Sequence, residues 1–290
     1  MSFYQGPALA GLFFLLHIAA ACAQGDAKRG EYLSKAAGCL GCHTDTRAGA
    51  VPYAGGRALR TPFGTFYGPN ITPHATAGIG RWSEADFVRA MREGRRPDGA
   101  HYYPAFPYTS FTRIVDSDLR DLWAYLKALK AAEQPSREHE LGFFYRWRFV
   151  LIFWKWLFFT PGPLASDPAK SAPLTRGAYL VHALGHCGEC HSPRNFLGGS
   201  KKDRVLAGGR LDEGKGTPVN APNLTPTRLK RYGDGELKDI LGSGLYPDGD
   251  VMGETMAEVV RNSTSQLTPA DLDALIAYLR SLPALPDESK

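Results

Sequence analysis

The chain lacks the groups that usually build an independent substrate site. It has no glycine-rich dinucleotide loop, no nucleophile elbow and no zinc-binding helix of the His-Glu-x-x-His kind. These absences leave no visible centre for hydride transfer, acyl transfer or metal-assisted hydrolysis. Strong charge is missing too. The formal net charge is +5, from 34 Lys and Arg against 29 Asp and Glu. No basic stripe interleaved with aromatics at a sheet face appears, so no nucleic-acid partner is expected. Sulfur is scarce: 290 residues hold five cysteines and four methionines.

Four of the five cysteines stand in two copies of one motif. These are Cys39-Leu40-Gly41-Cys42-His43 and Cys187-Gly188-Glu189-Cys190-His191. No cysteine pair is left for a structural disulfide. Cys-x-x-Cys-His is the attachment signature of c-type haem. Two thiols three residues apart lie on one helical turn and can reach the two vinyl groups of one porphyrin edge. The next histidine then lies under the macrocycle, where it can coordinate iron. Cys39, Cys42, Cys187 and Cys190 are therefore the candidate attachment residues, and His43 and His191 the candidate iron ligands. One such motif alone also reads as half a zinc site or a redox dithiol. Two copies in similar contexts favour two covalently bound haem c groups. Their propionates would bring the net charge nearer to neutral.

The fifth cysteine, Cys22, belongs to an apolar N-terminal run, Ala8 to Ala23, broken only by His17. Ala21-Cys22-Ala23 fits a small-x-small cleavage site, although no basic residue precedes the apolar core. Residues 1–23 read as a signal peptide or an N-terminal anchor. A lipid-modified Cys22 is a third reading. Export fits the haem motifs, because haem is attached to them on the outer side of the bacterial inner membrane. The expected location is periplasmic, associated with that membrane.

The chain repeats itself at an offset of roughly 150 residues. Gly30-Glu31-Tyr32-Leu33 corresponds to Gly177-Ala178-Tyr179-Leu180, and Ala54-Gly55-Gly56-Arg57 to Ala207-Gly208-Gly209-Arg210. Asn70-Ile71-Thr72-Pro73 matches Asn223-Leu224-Thr225-Pro226, and Ala124-Tyr125-Leu126 matches Ala277-Tyr278-Leu279. The pairs keep their order. Each repeat predicts a short helix before the haem motif, a loop rich in Gly, Pro and Asn, a middle helix and a closing helix. Ser83 and Asp86 suit the start of the middle helix. Leu119, Leu122, Leu126 and Leu129, and then Leu272, Leu275 and Leu279, fall at helical spacing. Gly30 and Gly177 allow the first helix to cross the last closely, near Tyr125 and Tyr278. Small protein cores completed by haem imply folding that depends on haem.

On these motifs, both repeats resemble class I cytochrome c domains. The chain is similar to the dihaem part of the cytochrome c subunits of bacterial membrane-bound alcohol and gluconate dehydrogenases. The expected fold class is all-α, with two tandem class I domains joined by an aromatic-rich linker helix. The expected boundaries are 24–133, 134–172 and 173–290. The resemblance implies a methionine as sixth iron ligand, in the loop before the last helix. Met256 stands at that position in the second repeat, with Met252 as the alternative and core packing as a further reading of either. In the first repeat the matching position holds Phe106, which cannot ligate iron. Met91 and His101 are the candidates there, His74 a lesser one, and a five-coordinate or water-bound iron the remaining option. Arg57 and Arg210 are candidate partners of haem propionates, or exposed loop arginines. Tyr67, Asn70, Trp82, Asn223 and Tyr232 are candidate pocket walls, or loop packing.

Between the repeats, residues 143–159 form the most apolar internal run and hold three of the five tryptophans. Arg146, Arg148 and Lys155 interrupt it. Such a segment suits interdomain packing, a lipid interface or docking on a catalytic subunit. The resemblance implies an electron-transfer subunit, fed by a flavo-, molybdo- or quinoprotein dehydrogenase and delivering to quinone or an oxidase. The alternatives are a self-contained dihaem enzyme, of peroxidase or thiosulfate dehydrogenase type, using an open first haem, and a shuttle without a fixed partner.

Overall fold

The computed structural model describes residues 25–165, 167–211 and 218–287. The N-terminal apolar run with Cys22 lies outside the described residues. The first repeat opens with α1 (Ala27–Ala36) and the short turn α2 (Cys39–Cys42). Asp26 caps α1 by accepting from the amides of Lys28 and Arg29, at 2.9 and 3.1 Å. Strands β1 (Ala58–Thr61) and β2 (Gly64–Tyr67) follow, then α3 (Glu84–Glu93), α4 (Tyr108–Phe111) and α5 (Asp116–Ala128). Ser83 and Asp86 form a capping box on α3, and Gly94 ends that helix in the left-handed region at φ 59°.

Strand β3 (Glu140–Leu141) and helix α6 (Val150–Phe158) lie between the repeats. The second repeat runs through α7 (Ala172–Tyr179), α8 (Gly188–His191), β4 (Gly209–Leu211), β5 (Val219–Ala221), α9 (Pro226–Leu229), α10 (Asp234–Ser243), α11 (Glu254–Asn262) and α12 (Pro269–Ser281).

The expected helix crossing is present twice. A Cβ on Gly30 would collide with the Asp121 carbonyl and lie 2.8 Å from the Tyr125 Cβ. A Cβ on Gly177 would collide with the Ala274 carbonyl and lie 2.6 Å from the Tyr278 Cβ. Only glycine lets α1 approach α5, and α7 approach α12, this closely. Leu119, Leu122 and Leu126, like Leu275 and Leu279, are buried at these crossings.

An all-α reading needs correction. β1, β2 and β3 form a three-stranded antiparallel ribbon, and β4 pairs with β5. Both ribbons occupy the loops read as turns. Thr61, Thr65, Phe66 and Tyr67 favour a pleated surface, and Gly64, at φ 125°, allows the tight reversal.

The repeats share one core cluster, which runs from Leu33 to Leu279. The aromatic run between them is not a single helix. A 3₁₀ turn, Phe143–Arg146, precedes α6, and the chain is extended at Trp147. Lys155 is buried and donates to the Glu93 and Gly94 carbonyls at 2.6 and 2.8 Å, capping the C-terminus of α3. Arg148 donates to the His101 carbonyl, and Trp154 to the Leu197 carbonyl in the second repeat. Lys155 and Arg148 thus turn inward, whereas Arg146 stays exposed. Phe143, Phe144, Phe149, Phe153 and Trp156 face outward, Trp156 at 82 % exposure. Among the described residues no helix is long and apolar enough to cross a membrane.

Candidate functional site

Gly38, in the left-handed region, turns the chain from α1 into α2, which carries Cys39 and Cys42. His43 follows at once. Its Nδ1 lies 2.7 Å from the Pro69 carbonyl oxygen. A carbonyl only accepts, so Nδ1 carries the proton and Nε2 keeps its lone pair for a metal. Asn70 fixes that carbonyl. Its Oδ1 accepts from the Thr72 amide and hydroxyl at 2.9 and 2.7 Å, and its Nδ2 donates to the Ala132 and Gln134 carbonyls.

The second motif has the same apparatus. His191 Nδ1 lies 2.7 Å from the Pro222 carbonyl. Asn223 accepts from the Thr225 amide and hydroxyl, both at 2.7 Å, and donates to the Leu285 carbonyl. Asn70 and Asn223 are therefore loop locks. The prolines they steady do not stand out in the sequence, although each comes directly before a repeated Asn-x-Thr.

Burial lowers the pKa of His43 and His191, and the proline carbonyls oppose that shift. A lowered pKa favours the neutral ring, the form that ligates. Burial also pushes the thiols of Cys39 and Cys42 up to about 11, and that of Cys187 to about 12. A redox dithiol needs a depressed thiol pKa, so that reading loses support. A structural zinc site needs four converging ligands. Among the described residues no group of three His, Cys, Asp or Glu is arranged to hold a metal ion. A thiol pair with a neutral histidine whose Nδ1 is already bonded fits the donor set of covalent haem.

The methionines differ in their surroundings. Met91 is buried in the core cluster with Phe87 and Leu122. Met252 is half-buried against that cluster, whereas Met256, on α11, is half-buried outside it. The Met252 amide donates to the Gly244 carbonyl at 2.8 Å, and the Tyr102 amide to the Gly94 carbonyl at the same distance. That register sets Tyr102 opposite Met252 and Phe106 opposite Met256. His101 is half-buried, and its Nδ1 is buried without a hydrogen-bond partner. Burial, then the charges of Lys155 and Arg95, lowers its pKa. The ring of His74 is engaged in its own turn, where Nδ1 accepts from the Ala77 amide at 3.0 Å.

Arg57 pairs with Glu258 of the second repeat at 2.5 Å, and Arg210 is exposed on β4. The Arg57–Glu258 pair belongs to a larger exchange between the repeats. α2 packs on α11, where a Cβ on Gly41 would lie 3.2 Å from the Asn262 amide nitrogen. Reciprocally, Glu189 on α8 accepts from Thr109 and Ser110 of the first repeat, at 2.5 and 2.8 Å. Each candidate haem segment thus leans on the other repeat.

A family profile described as cytochrome c matches residues 27–130. The chain is 44% identical over 265 residues to a diheme cytochrome c-type protein of Cereibacter sphaeroides, covering 90% of this chain and 87% of that protein. The chain belongs to the cytochrome c family. It is also 39% identical to the fructose dehydrogenase cytochrome subunit of Gluconobacter japonicus, covering 88% of this chain and 52% of that subunit. Identity is 38% to the cytochrome c subunit of a quinone alcohol dehydrogenase of Gluconobacter oxydans, covering 90% and 55%. The chain therefore spans about half the length of these two subunits. The resemblance read from the motifs is borne out: this is an electron-transfer cytochrome of the kind that carries covalent haem c with its iron.

Proposed function

We propose that this cytochrome is a dihaem relay that takes electrons from a periplasmic dehydrogenase and passes them to quinone or a terminal oxidase. One observation carries the reading. The Cys-x-x-Cys-His motif occurs twice, each time with its histidine Nδ1 held at 2.7 Å by a proline carbonyl. Cys39 and Cys42 would attach one haem, and Cys187 and Cys190 the other. His43 and His191 would hold the irons through Nε2. When bound, each haem supplies an iron that changes oxidation state by one electron. The protein holds the ligands in one tautomer, buries the site and sets its polarity. Two tandem class I domains, 24–133 and 173–290, joined through 134–172, fit the doubled helix crossing.

Met256 is the proposed sixth ligand of the second site, with Met252 packed against the core. Phe106 leaves the first site without a sulfur ligand at the matching position. Met91 serves core packing, and His101 remains the candidate ligand there if the iron is not open. The names of the relatives support a dehydrogenase catalytic subunit as partner. Phe143, Phe144, Phe153 and Trp156 form an outer aromatic surface, with Arg146 exposed beside it, suited to the inner-membrane surface or to that subunit.

The test is purification from native membranes in mild detergent, with mass spectrometry of stoichiometric companions. A flavo-, molybdo- or quinoprotein subunit is the expected companion. A cytochrome that arrives alone and binds carbon monoxide stoichiometrically would favour the second reading, a self-contained dihaem enzyme, which rests on Phe106. A thiosulfate dehydrogenase with a cysteine ligand is disfavoured, because the four cysteines among the described residues all stand in the two motifs.

A further inference from the structure

The two haem segments differ by one residue. Five residues separate Leu33 from Cys39, and six separate Leu180 from Cys187. The extra residue is absorbed by a π turn, Leu180–Leu184, closed by the Gly185 amide on the Leu180 carbonyl at 2.7 Å. Such turns are single-residue insertions into a helix and cluster at functional sites. The first repeat keeps the ordinary α spacing, with the Ala37 amide on the Leu33 carbonyl at 2.8 Å.

The insertion places His186 directly before Cys187. It sits at φ 39°, in the left-handed region that a histidine enters only at a cost. Its side chain reaches into the other repeat. The ring meets Phe111 edge-on, with centroids 5.4 Å apart. It also lies against the carbonyl oxygen of Ala37, two residues before Cys39. Phe111 in turn packs on Phe106 at 5.7 Å. An unbroken series of rings therefore runs from the Cys187 segment, through His186 and Phe111, to the residue that replaces the methionine of the first site. In the second repeat the residue in register with Phe111 is Arg261, so this series has no symmetric copy.

We infer that His186 is the junction through which the two haem sites exchange electrons. The inference rests on the dihaem reading above. One electron passes from the reduced site to the oxidised one. No bond forms or breaks, and the imidazole keeps its proton throughout. The strained backbone and the π turn place this ring between the two haem segments.

The test uses the full chain matured with haem, as wild type, His186→Gly, His186→Asn and Phe111→Leu. Glycine relieves the positive φ, so the fold is retained while the ring is lost. Asparagine tolerates the same φ and restores a donor toward Ala37. Haem content is measured first. Fewer than two haems in the wild type would sink the dihaem reading itself, and this inference with it. With two haems in place, the protein is half-reduced by a flash and the equilibration between sites is timed, alongside separate midpoint potentials. His186→Gly should slow equilibration about tenfold or more with both potentials retained, Phe111→Leu should slow it less, and His186→Asn should recover part of the rate. An unchanged rate in His186→Gly, with both haems present, would overturn the junction and leave the dihaem reading standing.

Discussion

Tyr32 of the first repeat donates a 2.5 Å hydrogen bond to Asp271 of the second. Tyr179 of the second repeat donates to Asp118 of the first at 2.8 Å. The amides of Thr268 and Val115 complete the two copies, each 3.2 Å from a tyrosine hydroxyl. Arg176 pairs with Asp271, and Arg29 with Asp118. Residue i of one half thus meets residue j of the other, and the reverse, as in a two-fold dimer interface. The contacts across the junction are thus reciprocal.

Each of these tyrosines donates to an aspartate side chain that also pairs with an arginine. Tyr32→Phe or Tyr179→Phe should therefore lower stability by about 1.5–3 kcal/mol. The Tyr179 pair is the more buried, so its loss should be the larger. Denaturant unfolding of the haem-loaded protein measures both. Equal, negligible losses would mean that the halves do not depend on this junction.

Gly30→Ala and Gly177→Ala each force a methyl group into a backbone carbonyl of the crossing helix. Overpacking of this kind costs about 3 kcal/mol or more. Haem incorporation and unfolding midpoints should both fall. Gly49→Ala is the control, since nothing lies within 4 Å of the methyl group it would add, although its positive φ adds a smaller backbone cost.

His182 accounts for one pH dependence. Its Nε2 lies 2.7 Å from the Tyr278 hydroxyl. Burial, with help from the charges of Arg113 and Lys170, lowers its pKa from 6.5 to about 4. Between these values the unfolded chain binds a proton that the folded chain refuses, so stability rises with pH there. It should be complete above about pH 6.5 and fall by up to about 3 kcal/mol as the pH drops to 4. Unfolding midpoints across that window should flatten in His182→Gln. An unchanged slope would mean that other groups carry the dependence.

The sixth ligands predict a difference between the two sites. As a relay, reduced wild type should bind no carbon monoxide at the second site, and stoichiometric binding at the first site would favour the self-contained enzyme. Phe106→Met should close that site, and Met256→Leu should open the second and lower its potential. Met252→Leu should leave both ligand states unchanged. Carbon monoxide titration with optical spectra reads each case.

Much of this architecture is legible in the amino-acid sequence. Gly30 and Gly177 announce the crossings because only a missing side chain permits them. The leucine spacings place the buried faces of α5 and α12. The attachment motifs are local chemistry and are written out in five residues each. The partners across the junction are not legible. Nothing near Tyr32 in sequence points to Asp271, 239 residues away, and nothing near Arg57 points to Glu258. The short ribbons are hidden in loops whose Gly and Pro content reads as turns. His186 is visible only as a one-residue difference in spacing, and its meaning depends on the π turn that accommodates it.

The central claim is two covalent haems on one chain. The most direct measurement is the intact mass of protein matured with a c-type haem-attachment system. It is made for the wild type, for the variant with Cys39 and Cys42 changed to alanine, and for the variant with Cys187 and Cys190 changed to alanine. The account predicts two haem additions in the wild type and one in each variant. A wild-type chain carrying one haem or none would contradict it.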